Sequence, residues 1–309
     1  MNTETYIKNL GVPDRKVDVI LDTDAYNEID DQYAIAYMLA SKARINAVGI
    51  TAAPFLNSNS ISACDGMIKS YHEILKILDL TGESRLSKVT FKGSERFLED
   101  ERTPVLSDAA EFIAMTAKKY SPENHLYIVV LGAATNVASA YLLAPEDMKN
   151  NTVIVWLGGH AVSYLNSREF NLRQDVAAGR ILFGCGAPFI HVPCRGVVDV
   201  FTTTEYELKH WLAGKNPIAD YLVKNTVSAA ETYAKGRVWS RCIWDVAAVA
   251  WLLNDNDRFM DSYLTAAPLP EYDHHYASNP KNHLIRYVCS VKRDALMQDM
   301  FDRIASYKK

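Results

Sequence analysis

Short apolar segments alternate with amphipathic segments along the first two thirds of the chain. The apolar segments predict six strands, over Val17–Asp22, Ile45–Thr51, Val89–Lys92, Leu126–Leu131, Val153–Leu157 and Phe189–Val192. The intervening segments have the apolar spacing of helices, over Asp65–Leu80, Asp108–Lys119, Thr135–Leu143 and Val176–Phe183. This alternation is typical of a single doubly wound, mostly parallel α/β sheet with helices on both faces.

From about Phe201 onward the pattern becomes mainly helical. Helices are predicted over Tyr221–Ala234, Ile243–Leu253 and Asp294–Ile304, and a short strand pair over Tyr263–Ala267 and Ile285–Val288. No repeat, low-complexity tract or Pro/Ser-rich linker divides the chain. We therefore expect one domain over residues 1–309, with the helical C-terminal portion packed over the functional edge of the sheet.

Acidic residues are concentrated between the first strand and the helix that follows it. The segment LDTDAYNEIDDQ contains Asp22, Asp24, Asp30 and Asp31, and Glu28 adds a fifth carboxylate. Ligand sites in α/β proteins form where strands end and the next helices begin. A helix N-terminus accounts for a capping Asp and one further acidic residue. The remaining carboxylates repel one another unless neutralised, so we expect a bound hard cation, calcium or magnesium.

Composition limits the classes of protein to which the chain can belong, but it does not identify a reaction. A hydrophobic content of 49% and a charged content of 23% are ordinary for a soluble globular protein. The formal charge of −4 gives no reason to expect nucleic-acid binding. The N-terminus lacks the apolar segment of a secretory signal, and no apolar run approaches the ~18 residues of a membrane span. The five cysteines are scattered without CxxC spacing, which favours reduced thiols and a cytoplasmic protein.

The order of the polar motifs resembles that of the inosine–uridine preferring nucleoside hydrolases. The matching motifs are Asp22-Thr23-Asp24, Asp30-Asp31, Thr135-Asn136, Gly158-Gly159, Glu169-Phe170-Asn171 and the late Asp245 of IWDVAA. They run in the family's order from about Val17 to Val249. The resemblance implies hydrolysis of the N-glycosidic bond of a ribonucleoside, giving ribose and a free base. It also implies a homo-oligomer, a dimer or a tetramer.

The same resemblance implies a calcium ion and a role for each matching residue. The expected calcium ligands are Asp24, Asp31, the Thr135 carbonyl oxygen and Asp245, and Asp24 is also the expected general base. Asp30 would bind the ribose 2′-hydroxyl. The remaining hydroxyls would be bound by Asn57 (or, as the alternative, Asn59), Glu169 and Asn171. Asp22 would orient the turn.

Two departures from the family pattern bear on the substrate. The loop between the two aspartate motifs, residues 25–29, is two residues longer than the family's usual one. Pyrimidine-accepting members place a His directly before the late Asp, whereas this chain has Trp244, like the purine-specific branch. Trp244 is therefore expected to stack on a purine and to support a role in purine salvage. A second stacking residue is left open among Phe97, Tyr71 and Trp239.

Two other functions are compatible with parts of the pattern. A haloacid-dehalogenase-type phosphatase also begins with DxD, but it needs Thr or Val two residues past the second Asp, where this chain has Tyr26. A catalytically impaired nucleoside-binding relative is suggested by the longer loop and the missing His. We expect no catalytic role for His160, and we expect Arg168 and Arg173 to form surface or subunit ion pairs.

Overall fold

A computed structural model describes residues 1–308, and Lys309, the last residue of the predicted domain, lies outside them. The helices are α1 Thr3–Asn9, α2 Asp30–Ala40, α3 Ala63–Leu80, α4 Asp108–Ala117, α5 Thr135–Leu143, α6 Pro145–Asn151, α7 Phe170–Gln174, α8 Val176–Gly184, α9 Glu205–Trp211, α10 Pro217–Ala234, α11 Val246–Trp251 and α12 Arg293–Ala305. The strands are β1 Val17–Thr23, β2 Ile45–Ala52, β3 Thr90–Lys92, β4 Leu126–Val130, β5 Thr152–Leu157, β6 Phe189–Val192, β7 Thr202–Thr203, β8 Arg241–Cys242, β9 Met260–Ala266, β10 Leu269–Pro270, β11 Tyr276–Ala277 and β12 Leu284–Val291. Short 3₁₀ turns occupy Ser84–Val89, Val198–Val200 and Asp255–Asp257.

Eight strands form one central sheet in the order β3-β2-β1-β4-β5-β6-β12-β9. Pairing is parallel from β3 through to β12. The edge strand β9 pairs antiparallel with β12. The predicted mostly parallel α/β sheet is thus confirmed, and the predicted C-terminal strand pair extends this same sheet.

Alternate residues of the strands build an apolar core on each face of the sheet. Val19 and Leu21 of β1 pack on one face with α2, α3, α10, α11 and α12. Ile20 packs on the opposite face with α4, α5 and α8. Because both faces are covered, the strands are apolar throughout, and polar groups collect in the loops beyond the strand ends.

Four short helices and two helix boundaries differ from the sequence-based expectations. The helices α1, α6, α7 and α9 were not predicted, because each is too short for a periodic pattern; α9 begins with a capping box of Thr204 and Glu207 instead. The helix expected from Tyr221 begins at Pro217, after the N-cap Asn216. The helix expected from Ile243 begins only at Val246. The Ile243 amide donates to the Phe201 carbonyl oxygen outside any helix. This extended approach carries Trp244 toward the carboxyl edge of the sheet.

The helices of residues 1–308 are all too short or too polar to cross a membrane.

Candidate active site

The carboxyl ends of β1, β4, β5 and β6 border one cleft of about 450 Å³. The residues that line it there are Asp24, Leu131 and Cys194, which follow β1, β4 and β6, and Leu157, which ends β5. The cleft lies at the ends of β1 and β4. From β1 the sheet continues through β2 to β3 on one side, and from β4 it continues through β5 to β6 on the other. Ligands bind at such topological switch points in doubly wound sheets, and the volume suits a small organic molecule.

Four aspartates form the floor of the cleft. Asp24, Asp30, Asp31 and Asp245 are each at most 4% exposed. Carboxylate oxygens of Asp30, Asp31 and Asp245 lie within 4.8 Å of one another, although Asp245 is more than two hundred residues away in sequence. The fold therefore brings the late Asp to the early pair, and places Asp30 in the tightest group.

Asp24 borders the same floor because residue 132, at the end of β4, has no side chain. A Cβ atom at Gly132 would lie 3.2 Å from Cγ of Asp24 and 2.9 Å from Cβ of Ala53. Such contacts would push the Asp24 carboxylate out of position. The glycine of the LGAATN segment thus allows the close approach of β4 to the carboxylate.

Four of the eight carboxylate oxygens of these aspartates are buried without a hydrogen-bond partner among residues 1–308. Both Asp24 oxygens, Oδ1 of Asp30 and Oδ1 of Asp245 are buried and unpartnered. Asp31 accepts a hydrogen bond from the Thr23 hydroxyl. Burial raises the pKa of all four carboxyls. Neighbouring carboxylates raise the pKa of Asp24, Asp30 and Asp245 further, whereas hydrogen bonds, the one with Thr23 foremost, oppose the shift at Asp31.

The helix that begins at Asp30 does not use these carboxylates as caps. Its N-cap is Ile29, with no side-chain capping hydrogen bond. Capping therefore does not account for the buried carboxylates at this helix start. An oxygen-only group of crowded, buried and unpartnered carboxylates fits a hard cation such as Ca²⁺.

Asp22 lies behind the cleft and ties neighbouring elements together. Its Oδ1 accepts hydrogen bonds from Thr51 Oγ1 at 2.6 Å and from Asn136 Nδ2 at 2.8 Å. Burial raises the pKa of Asp22 to about 6, and both hydrogen bonds oppose that shift. Asn136 also donates to the Ala52 carbonyl oxygen at 3.0 Å. One amide side chain therefore connects the ends of β1 and β2 with the start of α5.

Glu169 and Asn171 line the cleft beyond the end of β5. The Glu169 carboxylate accepts from the backbone amides of Gly159 at 2.8 Å, Asn171 at 2.8 Å and Leu172 at 3.0 Å. Asn171 Nδ2 donates to the carbonyl oxygens of Leu131 at 2.6 Å and Leu157 at 3.1 Å. Both side chains are thereby fixed in orientation by backbone groups at the ends of β4 and β5.

Two of the residues predicted for the site do not themselves line the cleft. Thr135 is fully buried as the first residue of α5, and its hydroxyl donates to Asp175 Oδ2 at 2.6 Å. Asn57 Nδ2 donates to Asn27 Oδ1 at 2.6 Å, and Asn59 Nδ2 donates to the Asn27 carbonyl oxygen at 2.9 Å. Asn27 is the residue that reaches the cleft. The only signal for it in the sequence is its place in the longer loop.

Aromatic groups line part of the cleft wall. Trp244 is partly buried and lies directly before Asp245, as expected. The other aromatic side chains are Tyr164 and Phe170, which sequence reasoning did not single out. Phe97, Tyr71 and Trp239, among which the second stacking residue was left open, are not among the residues that line this cleft.

Glu28 of the longer loop also lines the cleft and pairs with Arg241 of β8. Burial and then the nearby Asp30 raise the pKa of Glu28 to about 7, while Arg241 opposes the shift. This ion pair connects the loop after β1 with the strand that leads to Trp244. It therefore joins the two sequence segments that supply the floor.

His160, Asn166 and three arginines complete the lining. His160 is 7% exposed, and its Nδ1 has no hydrogen-bond partner among residues 1–308. Arg168, Arg173 and Arg195 are exposed at the mouth of the cleft. No carboxylate of residues 1–308 lies within 4.0 Å of their guanidinium nitrogens, so the ion pairs expected for Arg168 and Arg173 do not form within this chain.

Comparison with known proteins gives one family. Residues 19–295 match the family model described as inosine-uridine preferring nucleoside hydrolase. A relative from Arabidopsis thaliana, described as probable uridine nucleosidase 2, is 29% identical over 238 residues, which are 70% of each chain.

Solved structures of nucleoside hydrolases share the fold. A purine-preferring ribonucleoside hydrolase from Gardnerella vaginalis has a TM-score of 0.74 at 22% identity, covering 94% of this chain and 98% of that one. The plant nucleoside hydrolase PpNRh1 has a TM-score of 0.74 at 18% identity, covering 94% of this chain and 99% of that one.

Proposed function

The chain belongs to the inosine-uridine preferring nucleoside hydrolase family, and from that premise we propose that it is a calcium-dependent hydrolase of purine ribonucleosides. Membership of the family makes it a nucleoside hydrolase, and the metal and the base are the proposed parts. The observation that carries the proposal is the group of buried, unpartnered aspartate oxygens beside Trp244 in one cleft.

The donor set supports calcium as the cation. Calcium takes six to eight oxygen ligands, including carboxylates and backbone carbonyl groups. Asp24, Asp31 and Asp245 on the floor of the cleft would hold it. The family resemblance adds the backbone carbonyl oxygen of Thr135, whose side chain is bonded to Asp175. Bound calcium would keep the carboxylates ionised and lower the pKa of a water molecule at the site.

Asp24 is the proposed general base. Both of its oxygens lack partners within residues 1–308, so one remains free to accept a proton from the attacking water. The transition state of glycosyl transfer resembles an oxocarbenium ion. Negative charge on the aspartates beneath the ribose would stabilise the positive charge that develops on the sugar.

Fixed polar groups would bind the ribose. Oδ1 of Asp30 is buried without a partner and would accept a hydrogen bond from the 2′-hydroxyl. Asn171 Nδ2 donates to two backbone carbonyl oxygens, which leaves Oδ1 as an acceptor for a sugar hydroxyl. Glu169 would accept from another hydroxyl. Asn57 would act through Asn27, whose amide it orients.

The leaving base would stack on Trp244. A purine offers a larger aromatic face than a pyrimidine, and Tyr164 and Phe170 provide further aromatic surface in the cleft. A second candidate substrate is uridine, because the Arabidopsis relative is described as a probable uridine nucleosidase. The aromatic lining and the absence of a His before Asp245 favour the purine.

A panel of ribonucleosides tests the proposal. Ribose release would be measured with inosine, guanosine, adenosine, uridine and cytidine, in calcium and after exhaustive chelation. We expect the purine nucleosides to have the highest kcat/KM and activity to depend on calcium. Faster hydrolysis of uridine would replace the purine with the second candidate.

Two further outcomes would reject the enzyme activity itself. Nucleoside binding without ribose release would identify an impaired relative. Hydrolysis of p-nitrophenyl phosphate with magnesium, and of no nucleoside, would identify a phosphatase.

A further inference from the structure

The cleft is acidic at its floor and basic at one side of its mouth. Arg168, Arg173 and Arg195 line this side, which we call the arginine rim. Arg241, a fourth arginine near the cleft, is paired with Glu28. The rim arginines have no carboxylate within 4.0 Å among residues 1–308. Arg173 instead lies over the Phe170 ring, with Cζ 5.4 Å from the ring centroid.

The rim and the aspartates come from different strands of the sheet but line the same cleft. Asp24 follows β1, whereas Arg168 and Arg173 follow β5 and Arg195 follows β6. β5 and β6 lie two and three strands away from β1. At about 4.8 Å per strand, the ends of β5 and β6 lie roughly 10 to 14 Å from the end of β1. One ligand in this cleft can therefore meet carboxylates from the β1 side and arginines from the β5 and β6 side.

Two of the proposed sugar-binding residues lie next to rim arginines in sequence. In the proposed function, Asp30 binds the 2′-hydroxyl, and Glu169 and Asn171 bind other hydroxyls of the sugar. Arg168 directly precedes Glu169, and Arg173 lies two residues after Asn171. If Glu169 and Asn171 hold the 5′ side of the sugar, a substituent on the 5′ carbon would lie near these arginines.

His160 is an independent sign of a ligand at this end of the cleft. It is 93% buried, lines the cleft and leaves Nδ1 without a partner among residues 1–308. The amide of Ala161, the next residue, donates to the Arg195 carbonyl oxygen at 2.9 Å, so His160 and Arg195 lie on neighbouring segments. Burial, and after it the charge of Arg195, lowers the pKa of His160 to about 4. The neutral ring can donate or accept one hydrogen bond beside the guanidinium group.

We propose that the arginine rim binds a phosphate on the 5′ carbon of the ribose, so that the preferred substrate is a purine nucleoside 5′-phosphate. This inference rests on the proposed function for the position of the sugar. Arginine is the side chain best suited to phosphate, because its planar donors match the phosphate oxygens and its charge is permanent. The acidic floor would repel the phosphate and hold it at the rim.

Kinetics with paired substrates test the inference in the calcium-loaded protein. The ratio of kcat/KM for inosine 5′-monophosphate to that for inosine is expected to exceed one. Because hydrogen bonds to charged groups are strong, each of Arg168→Gln, Arg173→Gln and Arg195→Gln should lower this ratio by about tenfold or more. The matched control is Arg102→Gln, an exposed arginine outside the cleft, which should leave the ratio unchanged. Higher salt should lower the ratio in the unaltered protein.

Equilibrium binding separates this inference from the proposed reaction. Calorimetry with ribose 5-phosphate and with ribose requires no turnover, and we expect the phosphate to bind more tightly, with the difference lost in the rim variants. If inosine is hydrolysed but ribose 5-phosphate binds no better than ribose, the inference fails and the proposed function stands. If no nucleoside is hydrolysed but arginine-dependent binding of the phosphate persists, the proposed function fails instead.

The competing explanation is that the rim arginines form a contact between subunits of an oligomer. Sedimentation of the rim variants would then show dissociation, while the substrate ratio would not change. That combination would overturn the inference. Inosine 5′-diphosphate should be tested as a further substrate, because its longer phosphate chain would contact the same arginines. A preference for either phosphorylated substrate over inosine supports phosphate recognition.

Discussion

Trp244 and Asp245 are adjacent, yet their environments differ. Asp245 is 3% exposed on the floor, whereas Trp244 is partly buried and presents aromatic surface to the cleft. Ile243, just before them, belongs to the apolar core. One short segment thus joins the proposed metal site, the proposed base site and the packing that fixes both.

Replacing Trp244 with Ala tests the base site. Stacking on an aromatic side chain contributes about 1–3 kcal/mol per base, so kcat/KM for inosine should fall by about tenfold or more. Because stacking would help the base to depart, kcat should fall as well. Trp244→Phe, which keeps an aromatic ring, should recover most of the loss. Unchanged kinetics in Trp244→Ala would limit this residue to packing.

A substrate without the 2′-hydroxyl tests Asp30. The buried Asp30 oxygen would be left unpaired by 2′-deoxyinosine, and sites built to bind a hydroxyl reject such analogues by about 10⁴-fold or more. Turnover of inosine and 2′-deoxyinosine would be compared in the unaltered protein and in Asp30→Asn. We expect strong discrimination in the first and a smaller ratio in the second. Equal turnover of both substrates by the unaltered protein would remove the assigned role.

Residues with a direct role in chemistry were easier to predict than those that act through a neighbour. Asp24, Asp30 and Asp31 could be singled out because their charges are too crowded for caps alone. Asn27 could not, because its importance depends on contacts from Asn57 and Asn59 across a loop of unusual length. The arginine rim escaped prediction because an exposed Arg in a sequence is ordinarily a surface residue.

At the scale of elements, α7 shows how a short helix can position a site. It has only five residues, and the Glu169 side chain caps it by accepting from two of its amides. The same carboxylate accepts from Gly159, whose φ of 74° lies in the left-handed region. Glycine is required there, since a Cβ would also lie 2.1 Å from the Tyr276 hydroxyl oxygen. The end of β5 and the start of α7 are therefore held together by one side chain.

Glu169→Ala should consequently reduce stability and activity together. Three buried amides would lose their acceptor, and each stranded donor costs about 1–3 kcal/mol, so the free energy of unfolding should fall by more than about 2 kcal/mol. The control is Ser107→Ala, which removes the N-cap of α4 far from the cleft and should cost about 1 kcal/mol without changing kcat. Urea denaturation and ribose release measure the two effects. A loss of activity at unchanged stability would contradict the capping role.

Elements with long buried runs were predicted to within a few residues, because an apolar strand between polar turns has a clear pattern. The pairing of strands that are distant in sequence leaves no comparable pattern in the sequence. β12 lies beside β6 and extends the sheet, although about ninety residues separate the two strands in sequence. The carboxyl-edge position of Asp245 was predictable only through the family resemblance.

At the scale of the whole molecule, the acidic floor connects the first and last parts of the fold. Asp24, Asp30 and Asp31 come from the β1–α2 segment, and Asp245 directly precedes α11. Helices α2 and α11 pack in the same apolar core. Without a cation, mutual repulsion on the floor opposes this packing. A bound cation should therefore stabilise the entire domain and not only the cleft.

Calcium should raise the melting temperature, by an amount that grows with pH. In the metal-free protein, burial and neighbouring carboxylates raise the pKa of Asp30 to about 6 and of Asp31 to about 7, above the unfolded value of about 3.9. The native state then binds more protons than the unfolded state. The contribution of these two carboxyls to stability is consequently largest in acid and is lost as the pH rises from about 4 to about 7.

Calcium reverses this trend because it binds the ionised carboxylates and competes with protons. Differential scanning calorimetry with calcium and with a chelator, from about pH 5 to about pH 8, measures the increment in melting temperature. At a calcium concentration a thousand times Kd, the stabilisation would reach about 4 kcal/mol. Asp245→Asn should lose most of the increment, whereas Asp14→Asn, at an exposed carboxylate, should retain it. An increment that is independent of pH, or that survives in Asp245→Asn, would place the calcium elsewhere and remove the foundation of the proposed chemistry.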